Sequence, residues 1–328
     1  MPLTDRNLQT AVSSPIGMGS AITISQHEWS VAPPFRLDLT VSVLRRLSTN
    51  VVDILTAEGE YVRALDTSRG PIVARALQVS PEKIAVTLTG DSREHQQALA
   101  VVKKMLAIDR DVTYFGRGAE GIPWLRPLAH RMRGVRPPRY PTLWEACVNA
   151  IVFQQISIHA ASAIMRRLVL ALGRTVQAEG VGVHAFPSAE RFLSAKDDVL
   201  REAGLSVGKL STLRRVAEAL AAGTLDEAML EERGSPDGIA LLGGIKGIGP
   251  WTATVILLRG FGRLDVFPMN DSSVVRNLSL VSHSQRVDVE SALESLSPQQ
   301  GMLYYHLLLA RLETGGEVGQ ASVVGDHD

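Results

Sequence analysis

Residues 241–273, LLGGIKGIGPWTATVILLRGFGRLDVFPMNDSS, concentrate the groups in this chain that could do chemistry. Gly243, Gly244, Gly247 and Gly249 lie between two apolar runs, and a carboxylate, Asp271, closes the stretch. Glycine permits positive φ and close backbone approach, so Gly247-Ile248-Gly249 suits a tight turn. Pro250 fits the first turn of a helix, where its missing N–H costs nothing. Such a turn aims backbone N–H groups outward at the positive end of the helix dipole, which makes an anion site. Phosphate is the obvious anion, with Lys246 and Thr252 beside the turn, and the grip would not read sequence. A Gly-x-Gly by itself is equally a plain helix–helix turn. Asp271 likewise has an ordinary reading: NDSSVVRNL places Asp271 or a neighbouring serine where it would cap a helix.

These groups need scaffolding. GIALLGGIKGIGPWTATVILLRG reads as helix, turn, helix, with Leu242 and Ile245 packing the first helix on the second and Thr252, Ala253, Val255, Ile256 and Leu257 continuing the latter. Upstream, YPTLWEACVNAIVFQQISIHAASAIMRRLVLAL is helical and broken near QQIS, and SAERFLSA, DDVLREAGL, KLSTLRRVAEALAAG and LDEAMLEERG are further short helices. Residues 116–315 therefore read as an all-α region of two helical subdomains. Before them, residues 28–115 read as a small α+β domain. A helix-like LTVSVLRRL is followed by the alternating runs EYVRALD, PIVARALQV and KIAVTLTG, separated by the turn signals TSRGP and SPEK. A helix then places Leu99, Val102 and Leu106 on one face. Residues 1–27 read as a flexible leader rather than a signal peptide, because Gly17, Gly19 and Ser20 interrupt any apolar core. Residues 316–328 read as a disordered tail.

Composition removes several function classes. The 328 residues are 45% hydrophobic and 21% charged, with no apolar run long enough to span a membrane. A single cysteine, Cys147, excludes an intramolecular disulfide and any four-cysteine zinc or iron–sulfur site, and suits a cytoplasmic, reducing setting. The formal net charge of zero disfavours coating of nucleic acid by bulk charge. It leaves room for a local basic face. Arg117, Arg126, Arg131, Arg133, Arg136 and Arg139 crowd one segment that holds the acid Glu120, either as a solvated linker or as a phosphate-facing strip.

The full pattern Leu-x-x-Ile-x-Gly-Ile-Gly-x-x-Thr-Ala, the loop DVFPMND with Pro268, and Asp271 at this spacing resemble the HhH-GPD DNA glycosylase superfamily, specifically its alkylpurine branch of 3-methyladenine DNA glycosylase II type. PTLWEACVNAIVFQQIS resembles that branch's helix and loop that enter DNA, and SPQQGMLYYHLLLARL its closing helix. The resemblance covers about residues 28–315. It implies an N-terminal antiparallel-sheet domain like half of the TATA-binding protein, followed by an all-α helix–hairpin–helix glycosylase region.

The resemblance further implies a monofunctional base excision repair hydrolase acting on double-stranded DNA as a monomer and releasing alkylated purines. A cationic alkylpurine leaves without much protonation, and the sugar develops oxocarbenium character. A carboxylate beside C1′, here Asp271, stabilises that charge or orients the attacking water. The target base must leave the stack, and the vacated space is filled from the loop bearing Gln155 and Ile156. A polar helix break is the ordinary alternative there. Trp251 matches an aromatic pocket position, or is an ordinary core tryptophan. Tyr304 and Leu308 complete the expected pocket, with Leu308 and Val255 standing where relatives carry aromatics and Tyr304 and Tyr305 close enough to compensate. His306 reads as structural. Trp251 also occupies the place of the nucleophilic lysine of lyase members, so no lyase step is expected. No cofactor and no iron–sulfur cluster are expected, while the resemblance implies a monovalent cation held by backbone carbonyls near Gly244, Gly247 and Gly249. A glycosylase for a deaminated or oxidised base and a non-catalytic DNA-binding protein are the competing readings.

Overall fold

The computed structural model describes residues 22–178, 180–269, 272–282 and 287–318. The first part is β1 (Ile22–Ser30), α1 (Leu37–Arg45), β2 (Ile54–Leu55), β3 (Tyr61–Leu65), β4 (Ile72–Ser80), β5 (Lys83–Asp91) and α2 (Ser92–Met105). The strands form one antiparallel sheet in the order β1-β5-β4-β3-β2. The three alternating runs are the meander β3–β4–β5. Asp91 ends β5 and caps α2 by accepting from Arg93 N, so one residue closes a strand and opens a helix. The predicted face of α2 is inward: Val102 and Leu106 are buried and Leu99 packs against the same core.

The second part contains α3 (Thr113–Glu120), α4 (Arg126–Arg131), α5 (Leu143–Val152), α6 (Ile158–Leu172), β6 (Arg174–Ala178), β7 (Val181–Ala185), α7 (Ala189–Ser194), α8 (Asp197–Glu202), α9 (Val207–Ala221), α10 (Glu227–Glu231), α11 (Ser235–Gly243), α12 (Pro250–Phe261), α13 (Ser272–Val281), α14 (Val289–Leu296) and α15 (Met302–Thr314). The α+β class thus stands, an antiparallel sheet followed by a helical region. No helix among the described residues is long and apolar enough to cross a membrane.

Four sequence expectations are corrected. The leader does not extend to residue 27, because ITISQHEWS alternates and pairs with β5 along its whole length. The region from 116 to 315 is not all helix: β6 and β7 form a hairpin whose Ala178, Val183 and Ala185 pack on Val62, Ala64 and Val73 of the first sheet. Its short strands lie between longer helical patterns, which hid them. The tail does not loosen at residue 316, since Glu317 accepts from Ser48 N at 2.7 Å and its carbonyl accepts from Arg45. The basic segment is not a uniform phosphate-facing strip. Arg136 is buried and donates to Ala32 O, and Arg139 reaches inward to Gly260 O.

The two parts share one interior. A continuous apolar cluster runs from Trp29 and Leu88 to Val152, Leu213 and Ile256. Fully buried Arg63 on β3 bridges Asp53 and Glu145 of α5 at 2.6 Å each, and Tyr61 donates to the same Asp53. A buried charge pays a large desolvation cost unless it is paired and hydrogen-bonded, and this network supplies both partners. It fixes α5 against the sheet. Arg259 of α12 is also buried, donating to Val43 O of α1 and lying 4.8 Å from the Tyr140 ring.

Candidate nucleic-acid interface and base cavity

The hairpin forms as expected. Gly244 closes α11, Ile248 N donates to Ile245 O, and α12 begins at Pro250. Leu242 and Ile248 are buried, and Ile245 packs against the same core. The two turn glycines have different causes. Gly247 sits at φ +104°, and a Cβ there would lie 2.0 Å from Thr212 Oγ1, so the fold itself requires it. Gly249 is extended, with φ −88° and ψ 174°, and an added Cβ would meet nothing within 4 Å. Its bareness serves no internal contact. The N-terminus of α12 has no side-chain cap, which leaves its first N–H groups to an outside acceptor. Lys246 is exposed beside them.

Two of the expected phosphate groups turn inward: the Ile248 N–H is already bonded to Ile245 O, and the other is Thr252. It is buried, and its Oγ1 accepts from Gln154 Nε2 at 2.5 Å. Its hydroxyl faces the α5–α6 loop rather than solvent. The helical register that put Thr252 near the turn could not say which way it pointed.

That loop is built from unusual geometry. Phe153 caps α5, Ser157 caps α6 by accepting from Ala160 N, and between them Gln155 takes φ +57°. Left-handed backbone is costly for a residue with a Cβ and persists only where neighbours hold it. Gln154 Nε2 ties the loop to α12, with a longer contact of 3.4 Å to Gly247 O. Lys209 of α9 donates from Nζ to Val152 O at 2.8 Å and to Gln154 O at 2.9 Å. Partial burial of that ammonium lowers its pKa. The Arg46 guanidinium stacks 3.6 Å from the Phe153 ring centre. Held from these sides, the loop leaves Gln155 and Ile156 exposed.

Loop, hairpin and helices enclose a cavity of about 760 Å³. Gln155 and Ile156 line it from the loop, Gly247 and Gly249 from the turn, and Trp251 and Val255 from α12. Ser273, Arg276 and Asn277 of α13 and Tyr304, Leu308 and Arg311 of α15 complete it. The expected pocket residues Trp251, Tyr304 and Leu308 are therefore together. Val255 and Leu308 do stand in the wall at the positions expected to lack aromatics. Tyr305 does not compensate: it is fully buried, packs edge-on to Tyr304 at 5.8 Å and donates to Leu258 O. Trp251 is half-buried, and its indole N–H has no partner among the described residues. Arg46, Arg276 and Arg311 give the lining a cationic character, and no carboxylate among the described residues joins it. Asp271 lies outside the described residues; in sequence it directly precedes α13.

His306 is structural. It is buried against Phe115, its Nδ1–H donates to Met302 O at 2.9 Å, and burial pushes its pKa down to about 4. Cys147 is buried in α5, where desolvation raises its thiol pKa far above the ordinary value, so it is no nucleophile. No group of three or more His, Cys, Asp or Glu suited to a metal occurs among the described residues. Arg46, Gln154, Lys209 and Thr212 were not anticipated. Gln154 had a visible signal in the QQ doublet, but the other three act across long sequence separations.

Comparison with known proteins gives a consistent picture. Residues 148–299 match the HhH-GPD superfamily base excision DNA repair protein profile. A Bacillus subtilis protein named DNA-3-methyladenine glycosylase is 24% identical over 256 residues, covering 76% of this chain and 82% of that one. A Mycobacterium tuberculosis protein named probable bifunctional transcriptional activator/DNA repair enzyme AlkA is 31% identical over 242 residues, covering 72% of this chain but 47% of that longer protein. The structure of a 3-methyladenine DNA-glycosylase from Archaeoglobus fulgidus superposes with a TM-score of 0.73 at 25% identity, covering 87% of this chain and 98% of that one.

Proposed function

Because residues 148–299 belong to the HhH-GPD superfamily of base excision DNA repair proteins, we propose that this chain is a monofunctional DNA glycosylase that extrudes a damaged purine from duplex DNA and hydrolyses its bond to deoxyribose. One observation carries the reading: the uncapped hairpin, the exposed tip of the α5–α6 loop, Trp251 and the start of α13 border a single cavity. A phosphate-binding module alone needs no such cavity.

In this reading the N–H groups at the start of α12, with Lys246, grip a backbone phosphate. Gln155 and Ile156 enter the duplex and occupy the space the base leaves, offsetting part of the unstacking cost. The base stacks on Trp251 between Tyr304 and Leu308. Asp271, carried on the residue before α13, stabilises the oxocarbenium-like sugar and orients water on C1′. A cationic 3-methyladenine or 7-methylguanine departs as a neutral base and asks for no general acid, in keeping with a neutral, buried His306. Trp251 rather than lysine follows the turn, so no Schiff base and no strand cleavage are part of the reaction. A monovalent cation at the hairpin would be held by the carbonyl oxygens of Gly244, Gly247 and Gly249. Gly247 O and Gly249 O each accept one hydrogen bond already and keep a second lone pair. Its service would be to draw electron density from the phosphate-facing turn. The protein acts as a monomer on DNA.

A second reading has its own support. Arginines in the lining, together with Val255 and Leu308 in place of aromatics, disfavour a cationic base and favour a neutral one that departs as an anion, such as a deaminated purine. A panel of duplexes, each carrying one lesion, separates the two. Release of 3-methyladenine or 7-methylguanine supports the first. Release confined to neutral lesions overturns it in favour of the second, and release from none overturns both.

A further inference from the structure

The left-handed Gln155 needs an external brace, and α9 supplies it while also bracing the hairpin. Three residues on successive turns of α9 do the work. Lys209 Nζ donates to Val152 O, the last carbonyl of α5, where no further turn of that helix follows to pair it, and to Gln154 O in the loop beyond. Thr212 fills the space above Gly247 so closely that no side chain fits there. Arg215 donates to Lys246 O at 3.3 Å. One rigid helix therefore touches the plug loop at its first turn and the phosphate turn at the next two.

We propose that Lys209 is a positioning residue that sets the plug loop in register with the hairpin, so that gripping the strand and filling the stack are coupled through α9. This rests on the reading that Gln155 and Ile156 enter the duplex. Two of the three ammonium protons are spent on carbonyl oxygens, which separates Lys209 from a phosphate ligand such as Lys246. It separates Lys209 equally from an amine nucleophile, whose lone pair must be free.

Lys209→Met keeps the aliphatic stem and removes the donors. Two measurements decide its role. In the free protein, amide hydrogen exchange over residues 153–157 should rise at least tenfold in Lys209→Met and stay near wild type in Lys209→Arg. On a duplex bearing a tetrahydrofuran abasic analogue beside 2-aminopurine, the fluorescence gain caused by loop insertion should fall at least fivefold in Lys209→Met. Affinity for undamaged duplex and its salt dependence should not change. Exchange and fluorescence both at wild-type levels would overturn the proposal. So would a salt slope reduced by about one unit, the mark of a lost phosphate contact. If wild-type protein gives no fluorescence gain, the plug reading falls, while hydrogen exchange still decides whether Lys209 braces the loop. Should Lys209→Met not fold, Lys209→Gln, whose amide still donates but is shorter and uncharged, takes its place and is expected to give an intermediate rise in exchange.

Discussion

Gln154 Nε2 donates a 2.5 Å hydrogen bond to the buried hydroxyl of Thr252, joining the α5–α6 loop to the first turn of α12. The bond makes one unit of two segments 98 residues apart in sequence. Thr252 was expected at the phosphate, and its actual partner changes what its substitution should do.

Thr252→Val should cost about 1 kcal/mol of stability, the typical worth of one hydrogen bond, and slow base release by loosening the loop. It should leave the salt dependence of DNA binding unchanged. Lys246→Ala should do the reverse, preserving stability and lowering the slope of log affinity against log salt by about 0.9. Binding titrations from low to moderate salt with both variants check the pair.

The two turn glycines should separate folding from binding. Gly247→Ala meets Thr212 at a positive φ and should destabilise by more than about 2 kcal/mol. Gly249→Ala meets nothing and should change stability by less than about 0.5 kcal/mol. Its methyl group would point into the space a phosphate must enter, so duplex affinity should drop at least tenfold. Thermal melts and duplex titrations on the same samples distinguish these outcomes.

Gln155→Gly relieves left-handed backbone and adds unfolded-state entropy, two effects of about 1 kcal/mol that nearly cancel. Melting temperature should stay close to wild type while excision falls at least tenfold for want of the plug. Equal excision by variant and wild type would remove Gln155 from the insertion step.

Burial lowers His306 from an ordinary value of 6.5 to about 4, so the unfolded chain binds its proton more readily than the folded one. Stability present above pH 6.5 is therefore lost as pH falls towards 4, by on the order of 3 kcal/mol for this group. His306→Leu should flatten that part of the curve in denaturant melts between pH 7 and 4. Because His306 is neutral when the protein works, the substitution should leave the pH profile of base release near neutrality unchanged.

The helical periods, the turn glycines and Pro250 are local signals, and they located the hairpin, α12 and the break at QQIS. The cavity wall was legible where side chains repeat along one helix face: Trp251 with Val255, and Tyr304 with Leu308. What escaped depends on long-range packing. Thr252 faces inward because Gln154 arrives from the α5–α6 loop. Arg136 and Arg139 look like surface charge until Ala32 O and Gly260 O are seen to receive them. Lys209 is an unremarkable lysine in α9 until α5 ends beside it. The hairpin β6–β7 owes its existence to the first sheet, on which its apolar face packs.

In the proposed reaction the phosphate grip and the cavity serve one acid, Asp271. Single-turnover release of 7-methylguanine from a defined duplex, by wild type and Asp271→Asn, tests it most directly. Asp271→Asn should lose at least a hundredfold, the scale for removing a preorganised charge stabiliser, with duplex affinity within threefold of wild type. Release by Asp271→Asn at the wild-type rate would contradict it.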